Sequence, residues 1–341
     1  MVSHRRSTQP GTSRSVRVTV ASAAAVTAAA ALGTATASAD PQDTPRSAGA
    51  RVDRLLTEAE QATEHYNEAG ENAARLRGEV RRAQDRAARG QERINRMRTE
   101  IGSAAREQYR TGGIDPSLAL LLSSDPDSYL DRAATLTRVN DRRAMALAGL
   151  RKAQQALAQT RAEAARSLAA LERSRAAVSR HKRTVERKLL QAKRLLEELP
   201  GPERAAFERA SRTGREDGPA AGATAGSSRA AAALAAVRQA LGRPYVWGAN
   251  GPSGFDCSGL MQWAYAQAGV SLPRTSQAQR YAGRMVPLSE ARPGDLVAYR
   301  ADASHIGMYV GNGQVIHAPY PGAPVRYDPV GMMPVSSVTR V

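Results

Sequence analysis

From Arg51 onward, apolar and small residues return every seven positions at Val52, Ala59, Tyr66, Ala73, Val80, Ala87, Ile94 and Ile101. A second stripe lies three places on, at Leu55, Ala62, Ala69, Leu76, Ala83, Gly90, Met97 and Ala104. Such stripes are the a and d positions of a coiled coil, and a helix from Arg51 to Arg110 would extend about 90 Å. Thr111-Gly112-Gly113 and Asp115-Pro116 interrupt it, since glycine weakens and proline breaks a helix. Beyond Asp127 the period resumes at Leu150, Leu157, Ala164, Leu171, Val178, Val185, Ala192 and Leu199, beside the small residues Ala153, Thr160, Ser167 and Ser174. Small seam residues bury little area each, so the pairing is weak per heptad. The simplest architecture is an antiparallel coiled-coil hairpin over 51–199 with its tip near 111–127. Heptads alone also permit a coil between chains. The Glu and Arg residues along both helices read as its solvated faces. Leu118-Ala119-Leu120-Leu121-Leu122 at the tip reads either as short helices folded back or as an apolar knob for a partner.

The period is lost from Pro200 to Ser228, where Pro200-Gly201-Pro202, Asp217-Gly218-Pro219 and an Ala/Gly/Ser run predict a flexible linker. A further domain is expected over 229–341. Ser227 or Ser228 caps its first helix, which ends at Gly242. A second helix starts at Cys257 behind the capping residue Asp256, with Leu260, Trp263, Ala264 and Ala268 on one face and Gly269 as its stop. Residues 304–319 read as a β-hairpin around Gly311-Asn312-Gly313. A three-residue loop, or a bulge with the same effect, puts His305 and His317 on one face. A plain two-residue loop would separate them.

Composition adds a compartment. Arg5, Arg6, Arg14 and Arg17 precede a weakly apolar stretch from Val18 to Leu32 and then Ala35-Thr36-Ala37-Ser38-Ala39. This order reads as a signal peptide over 1–39, cleaved after Ala39, leaving a mature N-terminal tail over 40–50; it is too short and too rich in alanine to span a bilayer. The expected location is therefore secreted and cell-wall associated. The net charge of +17 is carried almost wholly by arginine, with lysine only at positions 152, 182, 188 and 193. No nucleic-acid motif or interleaved aromatics accompany it, so the partners it implies are anionic wall polymers or lipid head groups rather than nucleic acid.

Cys257 is the only cysteine, so no intrachain disulfide is available to it. An unpaired thiol in an oxidising compartment is a liability unless it is used. In the first turn of a helix it meets the positive end of the helix dipole, which favours the thiolate. A thiol nucleophile needs a base, and the two hairpin histidines supply one: His305 takes the proton while His317 orients its ring. Cys257, His305 and His317 lack the close ligand spacing of a metal site, and no metal or other cofactor is expected.

At these residues the chain resembles the NlpC family of papain-like cell-wall cysteine peptidases. The matching motifs are Arg243-Pro244-Tyr245-Val246-Trp247-Gly248, Phe255-Asp256-Cys257-Ser258-Gly259-Leu260, Leu272-Pro273-Arg274-Thr275-Ser276, Arg292-Pro293-Gly294-Asp295-Leu296 and the His305 to His317 hairpin. They follow the family order and span nearly all of 229–341. Ala249 departs from the family, where a second glycine is common. The resemblance implies an α+β domain with helices packed on an antiparallel sheet. It also implies hydrolysis of peptidoglycan stem peptides, commonly at the D-glutamyl to diaminopimelyl bond. Carried over, Cys257 is the nucleophile, His305 the base and His317 the third polar group. Tyr245 lines the site opposite the thiol, Asp256 and Ser258 help to receive the stem peptide, and Arg274 flanks the groove; as bland alternatives, Tyr245 is a core residue and Arg274 half of a structural ion pair. The helical half is similar to hairpins found ahead of such peptidases in exported wall hydrolases, some of them controlled by a membrane-bound division complex. That similarity implies regulation, with the hairpin shielding the Cys257 groove until a partner moves it. Two other functions stay open: a coiled-coil scaffold or activator of other hydrolases, and an amidase or acyltransferase using the same triad.

Overall fold

The structure is a computed structural model that describes residues 45–110, 118, 129–212 and 225–341. The expected signal peptide, and the hairpin tip with Leu120 and Leu121, lie outside the described residues. Among those residues no helix is long and apolar enough to cross a membrane.

Helix α1 runs from Pro45 to Arg110 and α2 from Tyr129 to Glu198. The first begins ahead of its expected start, taking in the end of the stretch read as an N-terminal tail. The two pack antiparallel within one chain, so the heptads find their partner intramolecularly. Ser174 donates to the carbonyl of Ala69 at 2.8 Å, Lys188 pairs with Glu58 at 2.5 Å, and Gly90 lies against Leu157. Val52, Ala59, Ala73, Val80 and Ile94 of α1 are buried, as are Leu157, Leu171, Val185 and Ala192 of α2. Tyr66 departs from the pattern: it packs edge-on against Trp247 rather than in the seam, with ring centroids 5.3 Å apart.

The stretch read as a flexible linker holds a helix, α3, from Gly201 to Arg212. Pro202 suits a first helical turn, where its missing N–H has no intrahelical partner to lose. Phe207 of α3 packs with Tyr320 and joins a cluster with Val52, Leu56 and Ala192 at the hairpin base. Apolar contact thus orders a segment whose Pro and Gly content argued for mobility.

Beyond it, α4 (Ser228–Gln239) and α5 (Cys257–Gln267) pack together and on a six-stranded antiparallel sheet. The strands are β1 (Arg284–Val286), β2 (Leu296–Tyr299), β3 (His305–Gly311), β4 (Gln314–His317), β5 (Arg326–Pro329) and β6 (Val335–Arg340), in spatial order β1-β6-β2-β3-β4-β5. Alternation along β2 and β3 feeds two cores. Leu296, Ile306, Met308 and Val310 join Ala233, Val237, Leu260, Met261 and Tyr265 from the helices, whereas Val297, Tyr299, Val315 and Val338 form the second cluster.

Turn chemistry sets the hairpin register. Asn312 and Gly313 both have positive φ, +52° and +70°, as a two-residue type I′ turn requires. Gly311 pairs with Gln314, but Tyr309 pairs with Val315 and Met308 with Ile316, so a bulge at Val310 absorbs one residue. The bulge restores His305 and His317 to one face.

Candidate active site at the head of helix α5

Asp256 caps α5, its Oδ1 accepting from the Gly259 N–H at 2.7 Å. The cap fixes Cys257 as the first helical residue. Gly259 is required by close approach, since a Cβ there would sit 2.2 Å from the Ala249 carbonyl oxygen. Asp256 also accepts from the Gly248 N–H at 2.9 Å, and Arg274 grips it with two bonds of 2.9 and 2.5 Å. Arg274 reaches Ser258 Oγ at 2.9 Å as well. Asp256 and Arg274 therefore engage each other and the helix head.

On the strand side, His305 Nε2 and His317 Nδ1 are 2.7 Å apart, the rings nearly perpendicular at 86°. Cys257 Sγ, a ring nitrogen of His305 and a carboxylate oxygen of Glu60 lie within 4.8 Å of one another. This trio also has donor types that bind zinc. Here both Glu60 oxygens are already engaged, one by His305 and one by Arg300 at 2.7 Å. Tyr245 is buried beside the thiol, and its hydroxyl has no hydrogen-bond partner among the described residues. Burial, and then the nearness of the Cys257, Glu60, Asp256 and Glu64 charges, hold that hydroxyl protonated.

The groove beside Cys257 is covered. Glu60, Glu64 and Asn67 of α1, spaced i, i+4 and i+7 on one helical face, descend onto the site. Glu60 meets His305 Nδ1. Glu64 Oε1 accepts from Ser258 Oγ at 2.7 Å and from the Cys257 thiol at 3.5 Å, and its Oε2 accepts from the Ser276 N–H at 2.9 Å. Asn67 donates to Asp256 Oδ2 at 3.1 Å. Glu60 is 2% exposed, Glu64 1% and Cys257 0%, so these acids are not the solvated face that their heptad positions suggest.

Electrostatics follow the cover. Burial, then the charges of Glu64, Glu60 and Asp256, push the Cys257 thiol well above its ordinary value. This reverses the thiolate expected from the helix dipole. Burial and the Asp256 charge push Glu64 up to about 7. Burial alone would push Glu60 up too, but His305 and then Arg300 outweigh it and hold its carboxyl below the usual range. An ionised carboxylate on Nδ1 keeps a proton there. His305 Nδ1 is thus engaged by Glu60, and the Cys257 thiol keeps its proton.

The motifs gathered at this site match residues 242–338 to the NlpC/P60 family. The chain carries an NlpC/P60 domain at its C-terminus. A protein of Corynebacterium glutamicum named a probable endopeptidase is 47% identical over 124 residues, 36% of this chain and 59% of that protein. The probable endopeptidase p60 of Listeria monocytogenes is 50% identical over 97 residues, 28% of this chain and 20% of that protein. A solved P60 domain of an antigen from M. avium subspecies paratuberculosis is 36% identical, covering 33% of this chain and 93% of that one, with a TM-score of 0.31. The chain thus spans little more than half of one curated relative and a fifth of the other. The NlpC/P60 match covers the helix bearing Cys257 and the strands as far as Val338, and leaves α1, α2, α3 and α4 outside it.

Proposed function

We propose that this chain is an exported cysteine endopeptidase that cleaves peptidoglycan stem peptides, at the D-glutamyl to diaminopimelyl bond, and that it rests in a closed state. The observation that carries the reading is the convergence of Cys257 Sγ with His305, whose other ring nitrogen is held by His317 at 2.7 Å. Nucleophile, base and orienting group are the parts acyl transfer needs. The motif resemblance supplies the stem-peptide substrate.

Once Glu60 and Glu64 leave, the proton Glu60 held on His305 Nδ1 passes to solvent, Nδ1 takes the thiol proton, and the helix N-terminus favours the resulting thiolate. The thiolate attacks the scissile carbonyl, and a backbone amide near Cys257 stabilises the oxyanion. His305 then protonates the leaving amine, giving a thioester, and afterwards activates water to hydrolyse it. The Tyr245 hydroxyl, buried without a partner among the described residues, is a donor available to the substrate. A metal ion has no part in this sequence of steps.

Burial of the thiol beneath two carboxylates of α1 supports the closed state. Substrate and helix compete for the same atoms. The test is release of fragments from purified wall, read by mass spectrometry, for the full chain, for E60A/E64A, and for each combined with C257A. Stem-peptide cleavage by the opened chain, lost with C257A, is the expected result. Undiminished release by C257A ends the cysteine reading, and fragments cut at another amide or ester redirect it to an amidase or acyltransferase.

A further inference from the structure

Beyond the triad, His317 has a partner of its own. Its Nε2 lies 2.7 Å from Asp328 Oδ2, on the neighbouring strand β5. The register places Arg326 opposite His317 and Asp328 opposite Val315, so the two β5 side chains fall on the histidine face. Arg326 Nε donates to the same Asp328 oxygen at 2.8 Å, and its other arm reaches the carbonyls of Ala210 and Ser211 at 3.0 and 2.8 Å. The carboxylate is therefore anchored from behind by the end of α3.

From this geometry we infer that Asp328 is a positioning residue for the reaction, fixing the tautomers of His317 and His305 so that the nitrogen facing Cys257 is the basic one. The inference rests on the cysteine reading for its catalytic meaning, but its structural content stands alone. An ionised carboxylate only accepts, so the proton shared with His317 belongs to Nε2. A neutral His317 then has a bare lone pair at Nδ1. The only hydrogen bond that lone pair can make with His305 Nε2 is as acceptor, so His305 carries its proton on Nε2. With Glu60 withdrawn, the remaining His305 nitrogen, Nδ1, is the lone pair that takes the thiol proton. Supporting this, His317 is neutral near pH 7: burial pushes it down to about 4, the Asp328 hydrogen bond only partly opposing. Burial would push the Asp328 carboxyl up, but the His317 and Arg326 contacts hold it below the usual range.

The direct test is a long-range proton–nitrogen correlation spectrum of the full chain labelled with 15N-histidine near pH 7, its five histidines assigned by single replacements. His317 is expected as the Nε2–H form. In D328A that preference is lost, whereas in D328N it persists, because an amide oxygen still accepts. An unchanged His317 signal in folded D328A overturns the inference. Kinetics add a second readout in the E60A/E64A chain. D328A should lower kcat roughly tenfold or more with KM unchanged, since the lost tautomer acts on the transition state, while D328N, which still accepts from Nε2, should keep most of it. D328N should also move the acid limb of the rate profile to lower pH, because the imidazolium formed at His305 loses a nearby negative charge. If D328A does not fold, a His317 that is not in the Nε2–H form in the parent chain, or an acid limb left unmoved in D328N, overturns the inference. Loss of the tautomer preference alongside full hydrolysis by C257A would leave the hydrogen-bond relay standing and remove the cysteine reading instead.

Discussion

Glu60 and His305 stand 245 residues apart in sequence, yet the carboxylate of one closes on the Nδ1 of the other. That nitrogen is the one the hydrogen-bond chain from Asp328 leaves free for the thiol proton. In the proposed mechanism the helix thus occupies the atom where the chemistry would begin.

Removing both acids should open the site. E60A/E64A leaves the α1–α2 seam untouched, since neither residue lies on it, and should raise hydrolysis by roughly tenfold or more if the closed form dominates at rest. Alkylation of Cys257 by iodoacetamide, followed by mass, provides an independent measure. An unchanged alkylation rate would argue against closure by these residues.

Closure should weaken as pH rises from about 4.5 towards 7. Glu64 has its carboxyl pushed up to about 7 when docked, against 4.5 when solvated, so the docked state holds an extra proton across this window. Docking is fully supported below the lower value and declines by about 1.4 kcal/mol per pH unit between the two. Glu60, shifted the other way, acts below this window and loses its contribution as pH falls. Hydrogen exchange of residues 50–70 in C257A, measured from pH 5 to 7.5, should show falling protection of the docked face. E64Q should flatten the trend.

Arg274→Ala should cost about 3 kcal/mol, because Asp256, 0% exposed at its side chain, would lose its bidentate partner. Thermal unfolding reads the loss. Since Asp256 also holds the head of α5, wall hydrolysis should fall with it.

Gly259→Ala should cost roughly 2 kcal/mol or more, because the new methyl would meet the Ala249 carbonyl oxygen, a backbone atom that cannot step aside. Gly313→Ala is the contrast, with open space around its Cβ and only the strain of a φ of +70° to bear. It should cost about 1 kcal/mol.

What the amino-acid order made legible was local. Asp256 announces a helix start three residues before the N–H it caps, and Asn312-Gly313 announces a turn, so the mount of Cys257 and the shared face of His305 and His317 follow from short-range rules. The heptads announced two helices and their seam. Glu60 and Glu64 were hidden because they occupy outward heptad positions, where acids are ordinary, and their burial depends on partners 193 to 245 residues away in sequence. Asp328 was hidden because its role needs the β4–β5 register, which no turn motif specified. Helix α3 had a signal, Pro202 followed by Glu203 in a first turn, but the surrounding Gly and Pro argued louder.

Nearly half of the seam positions of α1 and α2 are alanine, glycine or serine, and Glu64 sits close to one end of the seam. From Glu64 to Arg110 the helix runs about 70 Å. A load applied at that far end would reach the thiol through a long, shallowly gripped lever, so small distant displacements would translate into uncovering of the sulfur without any ligand approaching it.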